Sequence, residues 1–113
     1  MEPLSKNFNR GEFACKCGCG FDDIDLDLIP ILQAVRDHFK SPVNVHSGCR
    51  CPEYNERIGG AAKSYHMKGM ACDFSVRGVP PSEVQEYLAE HDGGLGHYDS
   101  FTHVDVRDHP ARW

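Results

Sequence analysis

A chain of 113 residues, 40% apolar and 26% charged, suits a single domain (1–113) with one modest core. Its formal charge of −5, with no Lys/Arg cluster, argues against a nucleic-acid surface. No stretch approaches the roughly 20 apolar residues of a membrane span, and MEPLSKNFNRGEF has no apolar run of the signal-peptide kind, so the expectation is a chain made in the cytoplasm, with no membrane partner, that reaches any outside target by a separate route.

Asn9 followed by Glu12 has the spacing of a capping box and predicts a short helical turn. In LDLIPILQAVRDHF, Leu28, Ile31, Leu32, Val35 and Phe39 recur at helical spacing, with Pro30 tolerable in the first turn. SPVNVHSG reads as a short strand entered through Pro42 and left through Gly48. PEYNERIGG reads as a brief helix stopped by glycines. ACDFSV predicts a strand with Cys72, Phe74 and Val76 on one face and Ala71, Asp73 and Ser75 on the other. Ser82 and Gln85 repeat the capping-box spacing before a helix carrying Val84, Tyr87 and Leu88. HDGGLGHYDS reads as a glycine-rich loop. FTHVDVR is the last strand, with Phe101, His103, Asp105 and Arg107 on one face. Helices and short strands interleave without clear βαβ units, which predicts an α+β fold with a small antiparallel sheet and flanking helices.

The six cysteines are unevenly spread: Cys15, Cys17 and Cys19 alternate in ACKCGCG, Cys49 and Cys51 flank an arginine in SGCRCP, and Cys72 stands alone. In a secreted chain such a count reads as a disulfide framework. Without an export signal, reduced thiols or a structural metal compete with that reading. The C-x-C spacing is tighter than the usual C-x-x-C zinc knuckle, so the zinc signal is weak and the disulfide and free-thiol readings are preferred to a structural zinc.

A catalytic zinc needs three nitrogen or oxygen ligands and one position left for water. His66, in the loop SYHMKGM, Asp73, on the polar face of its strand, and His103, on the equivalent face of the last strand, supply that set if the two strands pair. Of the seven histidines, His38 and His91 fall late in predicted helices, His109 reads as a surface residue and His46 as structural.

The segments SGCRCPEYN, GGAAKSYHMKGMACD and GGLGHYDSFTHVDVR, with a terminal RW, resemble the zinc D-Ala-D-Ala carboxypeptidase family of peptidoglycan peptidases, beginning around LSKNFNRGEFAC and covering nearly the whole chain. That family shares its zinc site with lysostaphin-type endopeptidases and the hedgehog signalling domain. The resemblance implies a hedgehog-like or DD-peptidase-like fold, Zn2+ held by His66, Asp73 and His103, and Arg50 gripping a substrate carboxylate. Ser64 and Tyr98 are expected to donate hydrogen bonds in the site. Relatives carry an acidic residue or a histidine a few positions before the last zinc histidine, whereas Ser100 stands three before His103 here. The general base is therefore assigned to Asp105, which shares the strand face of His103, with His97 next; Asp105 could instead orient a ligand.

The implied substrate is a peptidoglycan stem peptide, cut by a carboxypeptidase or an endopeptidase of phage or prophage origin, and the expected state is a monomer. A non-catalytic zinc-containing binding domain of hedgehog-like type is the alternative. A cysteine-zinc nucleic-acid module is disfavoured by the negative charge.

Overall fold

A computed structural model describes residues 2–113. Ten elements of helix or strand follow one another: β1 (Pro3–Ser5), β2 (Phe8–Asn9), α1 (Leu28–Phe39), β3 (Val43–Ser47), α2 (Pro52–Arg57), β4 (Ala71–Val76), α3 (Pro81–Tyr87), β5 (Gly94–His97), β6 (Thr102–Asp105) and β7 (Ala111–Arg112). Two 3-10 turns, Arg10–Phe13 and Tyr65–Lys68, complete the set. The first begins where Asn9 and Glu12 predict, and the Glu12 carboxylate accepts the Asn9 N–H at 2.7 Å.

β1 and β2 form a hairpin, and the other strands form one sheet in the order β3-β4-β6-β5-β7. Every pairing in that sheet is antiparallel except β5 with β7, so the α+β class holds while its last edge is parallel. Alternation along β4 and β6 gives the sheet two unlike faces. Cys72, Phe74, Val76 and Val104, with Leu95 from β5, point into the core against Leu28, Leu32 and Val35 of α1 and Val84 and Leu88 from the α3 side. Each of these larger apolar side chains contributes about 1.5–3 kcal/mol by leaving water. The opposite face carries Ala71 and Asp73 beside His103 and Asp105, and the register sets Asp73 directly across from His103 and Ala71 across from Asp105.

Three local expectations change. HDGGLGHYDS is not a loop throughout, because Gly94–His97 forms β5, hydrogen-bonded to β6 on one side and β7 on the other. Glycines hide strand propensity, and here Gly94 is needed because a side chain would run into the Asp105 carboxylate. Ser82 and Gln85 do not cap α3: the cap is Pro80, and the Gln85 amide turns inward to donate to the carbonyl of Tyr98 at 3.1 Å, holding the β5–β6 connection. His91 lies beyond α3, its ring at 2.7 Å from the Asp105 carbonyl.

All six cysteines are free thiols. Cys49 and Cys72 are core residues, while Cys15, Cys17, Cys19 and Cys51 gather at one corner.

Candidate metal centre

His66 is delivered by a turn whose geometry leaves little freedom. The Ser64 hydroxyl caps the turn by accepting the His66 N–H at 3.2 Å. Gly69 ends it at φ 69, where its missing side chain lets the Asp23 carbonyl come against it. The ring is buried, and its Nδ1 lies 2.7 Å from the Gly48 carbonyl. A carbonyl only accepts, so Nδ1 carries the proton and Nε2 presents a lone pair. That Nε2 is a buried polar atom with no hydrogen-bond partner among the described residues, 3.2 Å from Asp73 Oδ2.

His103 arrives from the strand beside Asp73. Its Nδ1 is 2.8 Å from Asp73 Oδ1 and its Nε2 is 2.8 Å from Asp105 Oδ2. Asp105 is fully buried and saturated. Oδ1 accepts from the Gly94 N–H at 2.9 Å and from Arg107 Nε at 2.8 Å, and Oδ2 accepts from Arg107 Nη2 at 2.7 Å. Burial alone would raise the pKa of Asp105, but the hydrogen bonds from Arg107 and His103 hold it well below the carboxylate range. Asp73 is likewise depressed, burial being outweighed by the imidazoles of His103 and His66. His103 is shifted up: burial favours its neutral form, and the two carboxylates on either side outweigh that.

With both rings neutral, these contacts leave an electrostatic conflict. With its Nε2 proton given to Asp105, His103 turns a lone pair on Nδ1 toward a carboxylate oxygen, and His66 Nε2 does the same on the other side of Asp73. Acceptors facing acceptors repel unless a proton or a cation lies between them. The donor atoms of His66, Asp73 and His103 lie within 4.8 Å of one another, as three ligands of one ion must. Two imidazoles and one carboxylate form a donor set suited to Zn2+, and the orphaned Nε2 fits a metal ligand.

The three residues open onto a cleft of about 510 Å³ lined also by Arg50, Ser64, Tyr65, Tyr98, Arg107 and Trp113. Arg50 is pinned by Nε to Ser47 at 3.0 Å, Nη1 to Asn55 at 3.3 Å and Nη2 to Asp73 at 3.1 Å, which leaves one N–H on each terminal nitrogen. Tyr98 stacks on Phe101 at 4.3 Å, and its hydroxyl accepts from Trp113 Nε1 at 2.8 Å. The Arg107 guanidinium lies over the Tyr65 ring at 4.3 Å and the Trp113 ring at 5.1 Å.

Of the residues singled out from the sequence, His66, Asp73, His103, Arg50, Ser64 and Tyr98 meet at this cleft. Asp105 sits behind His103, sealed from solvent, and His97 is exposed with its ring against the Trp113 carbonyl at 2.7 Å, outside the cleft lining. His46 is turned to Ser75 at 2.8 Å. Trp113, Arg107 and Tyr65 also line the cleft, beyond the residues the sequence singled out. Arg107 has the even spacing from His103 that a strand face would give, a signal legible beforehand although β6 ends at Asp105, but Trp113 reaches the cleft only because the two-residue β7 adds to β5.

The profile of the family described as Peptidase M15 matches residues 6–105. The peptidoglycan L,D-endopeptidase MepK of Escherichia coli (strain K12) is 37% identical over 81 residues, covering 65% of this chain and 43% of that protein, and the same figures hold for its counterpart in Shigella flexneri. A probable peptidoglycan L,D-endopeptidase MepK of Haemophilus influenzae is 44% identical over 51 residues, 42% of this chain and 27% of that protein. The chain thus spans less than half the length of the curated relatives it matches.

Proposed function

The chain belongs to the peptidase M15 family, and from that premise we propose that it is a zinc-dependent peptidase hydrolysing a bond within the stem peptide of peptidoglycan. The observation that carries the reading is the orphaned His66 Nε2, aimed with His103 Nδ1 at the Asp73 carboxylate on the wall of an open cleft. His66 through Nε2, His103 through Nδ1 and Asp73 through its carboxylate would hold the ion. Zinc would supply a water acidic enough to ionise near neutral pH and would polarise the scissile carbonyl.

The chain's own residues do the rest. Asp105 keeps the proton on His103 Nε2, which keeps the Nδ1 lone pair directed into the cleft. A carboxylate with both oxygens engaged and no solvent exposure is poorly placed to take a proton from water, so orienting His103 is the role its geometry supports. Arg50, held rigidly beside Asp73, offers its two remaining N–H groups to a substrate oxygen. Tyr98, Phe101 and Trp113 give the cleft a flat aromatic wall with polar edges, suited to a peptide backbone.

The names of the relatives support an internal bond, as an endopeptidase cuts, over a terminal D-Ala-D-Ala bond. Arg50→Ala tests that choice. An endopeptidase loses only the share of its rate that the two Arg50 N–H groups supply and still cuts crosslinked sacculi, whereas a carboxypeptidase loses its grip on the terminal carboxylate and fails. Action at the cell wall, in a phage or prophage setting, belongs to the same proposal.

One observation favours a non-catalytic, hedgehog-like binding domain as second reading: among the described residues, Asp73 is the sole acidic one in the cleft lining. Digestion of purified sacculi followed by mass spectrometry separates the two. The peptidase reading expects new amine and carboxyl ends with zinc-loaded protein and background levels with His66→Ala. Sacculi bound without cleavage by zinc-replete protein would establish the binding domain instead.

A further inference from the structure

The thiol corner is absorbed by none of this. Cys15 and Cys17 Sγ are 3.4 Å apart, Cys15 and Cys51 3.8 Å, and Cys17 and Cys51 3.5 Å, with Cys19 completing a set whose sulfurs all lie within 4.8 Å. A disulfide would bring two sulfurs to about 2.0 Å. Four thiolates about 2.3 Å from a tetrahedral zinc are about 3.8 Å from each other, the spacing found here.

We propose that Cys15, Cys17, Cys19 and Cys51 form a second, structural zinc site, closed by four thiolates and separate from the His66–Asp73–His103 centre. Backbone donors already converge on the sulfurs: the Cys51 N–H points at Cys15 Sγ and the Tyr54 N–H at Cys51 Sγ, both at 3.4 Å. Such N–H···S contacts stabilise a thiolate, as hydrogen bonds behind any metal ligand do. The turn that brings Cys15 and Cys17 together is closed by the Gly18 N–H on the Cys15 carbonyl at 3.2 Å. Metal uptake displaces the thiol protons to solvent, so no oxidant is involved and each sulfur stays reduced.

The placement says what such a site would hold. Residues 14–27 contain no helix or strand, yet this segment is wedged against the turn that carries His66, with the Asp25 N–H donating to the Gly69 carbonyl at 2.7 Å. Cys51 lies 36 residues along the chain from Cys15, directly after Arg50 and at the start of α2. A zinc at this corner would clamp the irregular segment to the Arg50 strand exit. It would thereby brace two parts of the cleft without touching substrate. The inference does not depend on the peptidase reading.

Metal analysis and Co2+ reconstitution of the whole chain test it. Wild type is expected to hold two zinc ions per chain, and its Co2+ form to show intense sulfur-to-cobalt charge-transfer absorption in the near ultraviolet. His66→Ala should drop to one ion and keep that absorption; the double variant Cys17→Ser/Cys19→Ser should drop to one ion and lose it. One ion in wild type with sulfur-to-cobalt absorption would support the thiolate site and count against the His66 centre. Wild-type protein whose cobalt form lacks sulfur ligation, or whose four cysteines are isolated as disulfides, overturns the proposal without recourse to any variant.

Discussion

The two candidate ligand clusters are built on opposite plans. His103 and Asp73 stand on adjacent strands, face to face by register, and the groups behind them (Gly48, Asp105, Arg107) anchor both imidazoles through the fold itself. The thiols stand mostly on an irregular glycine-containing segment, and one of the four, Cys19, is exposed. A catalytic centre gains from preorganisation because groups fixed by the fold need not reorganise as charge develops. A structural centre works the other way, since a segment with little regular hydrogen bonding takes its order from the ion it binds. The strand-borne cluster should therefore persist as a shape when metal is withdrawn, and the loop-borne cluster should not.

The largest expected effect comes from the carboxylate behind His103. Asp105→Asn leaves Arg107 without its charge partner and weakens the lock on His103, so zinc affinity at the His66 centre is expected to fall about 10- to 100-fold. Stability should fall by about 3 kcal/mol, because one member of a buried ion pair has been removed. Competition titration with a zinc indicator and urea denaturation read the two effects. Unchanged zinc affinity would remove Asp105 from any orienting role.

Proton competition comes next. In the metal-free protein the His103 pKa is raised above its unfolded value of about 6.5. The stability this group contributes is therefore fully present below that unfolded value and is lost as pH rises through the folded one. Metal has the opposite preference, since it needs the Nδ1 lone pair. Zinc affinity at the centre should thus fall about tenfold per pH unit below the folded pKa of His103. A pH series of titrations on Cys17→Ser/Cys19→Ser, which isolates the His66 centre, measures the slope; a flat profile would contradict the assignment of Nδ1.

Chelation sharpens the contrast between the clusters directly. Hydrogen exchange after removal of metal is expected to show lost protection in residues 14–27, with β4 and β6 unchanged. Equal loosening of both regions would mean that the strand-borne centre also relies on its ion.

The smallest expected effect lies away from both clusters. Lys40 ends α1 at φ 53, a left-handed conformation that costs a residue with a side chain about 1 kcal/mol. Lys40→Gly should raise stability by roughly 0.5–1 kcal/mol without altering metal content, as read by thermal unfolding.

Much of the architecture was legible because local signals agreed with it. The apolar face of α1 contains Leu28, Leu32 and Val35, all of them buried, and the alternation in ACDFSV correctly put Asp73 opposite the core face. What escaped were elements whose residues carry weak propensity. β5 is half glycine, and β1, β2 and β7 are two or three residues long, so their existence depends on partners rather than on composition. Gln85 looked like a capping residue because its spacing from Ser82 was right; burial against the β5–β6 connection won instead.

By residue type alone the chain declared its two imidazoles, its carboxylate and its alternating thiols, since the donor chemistry of each side chain travels with it whatever the fold. Only the tertiary structure decided that Asp73 lies across from His103, that Asp105 points into protein instead of the cleft, and that Cys51 joins three cysteines distant in the chain. The physical reason is that strand register and loop closure are set by long-range pairing and core packing, terms to which no short stretch of sequence is sensitive.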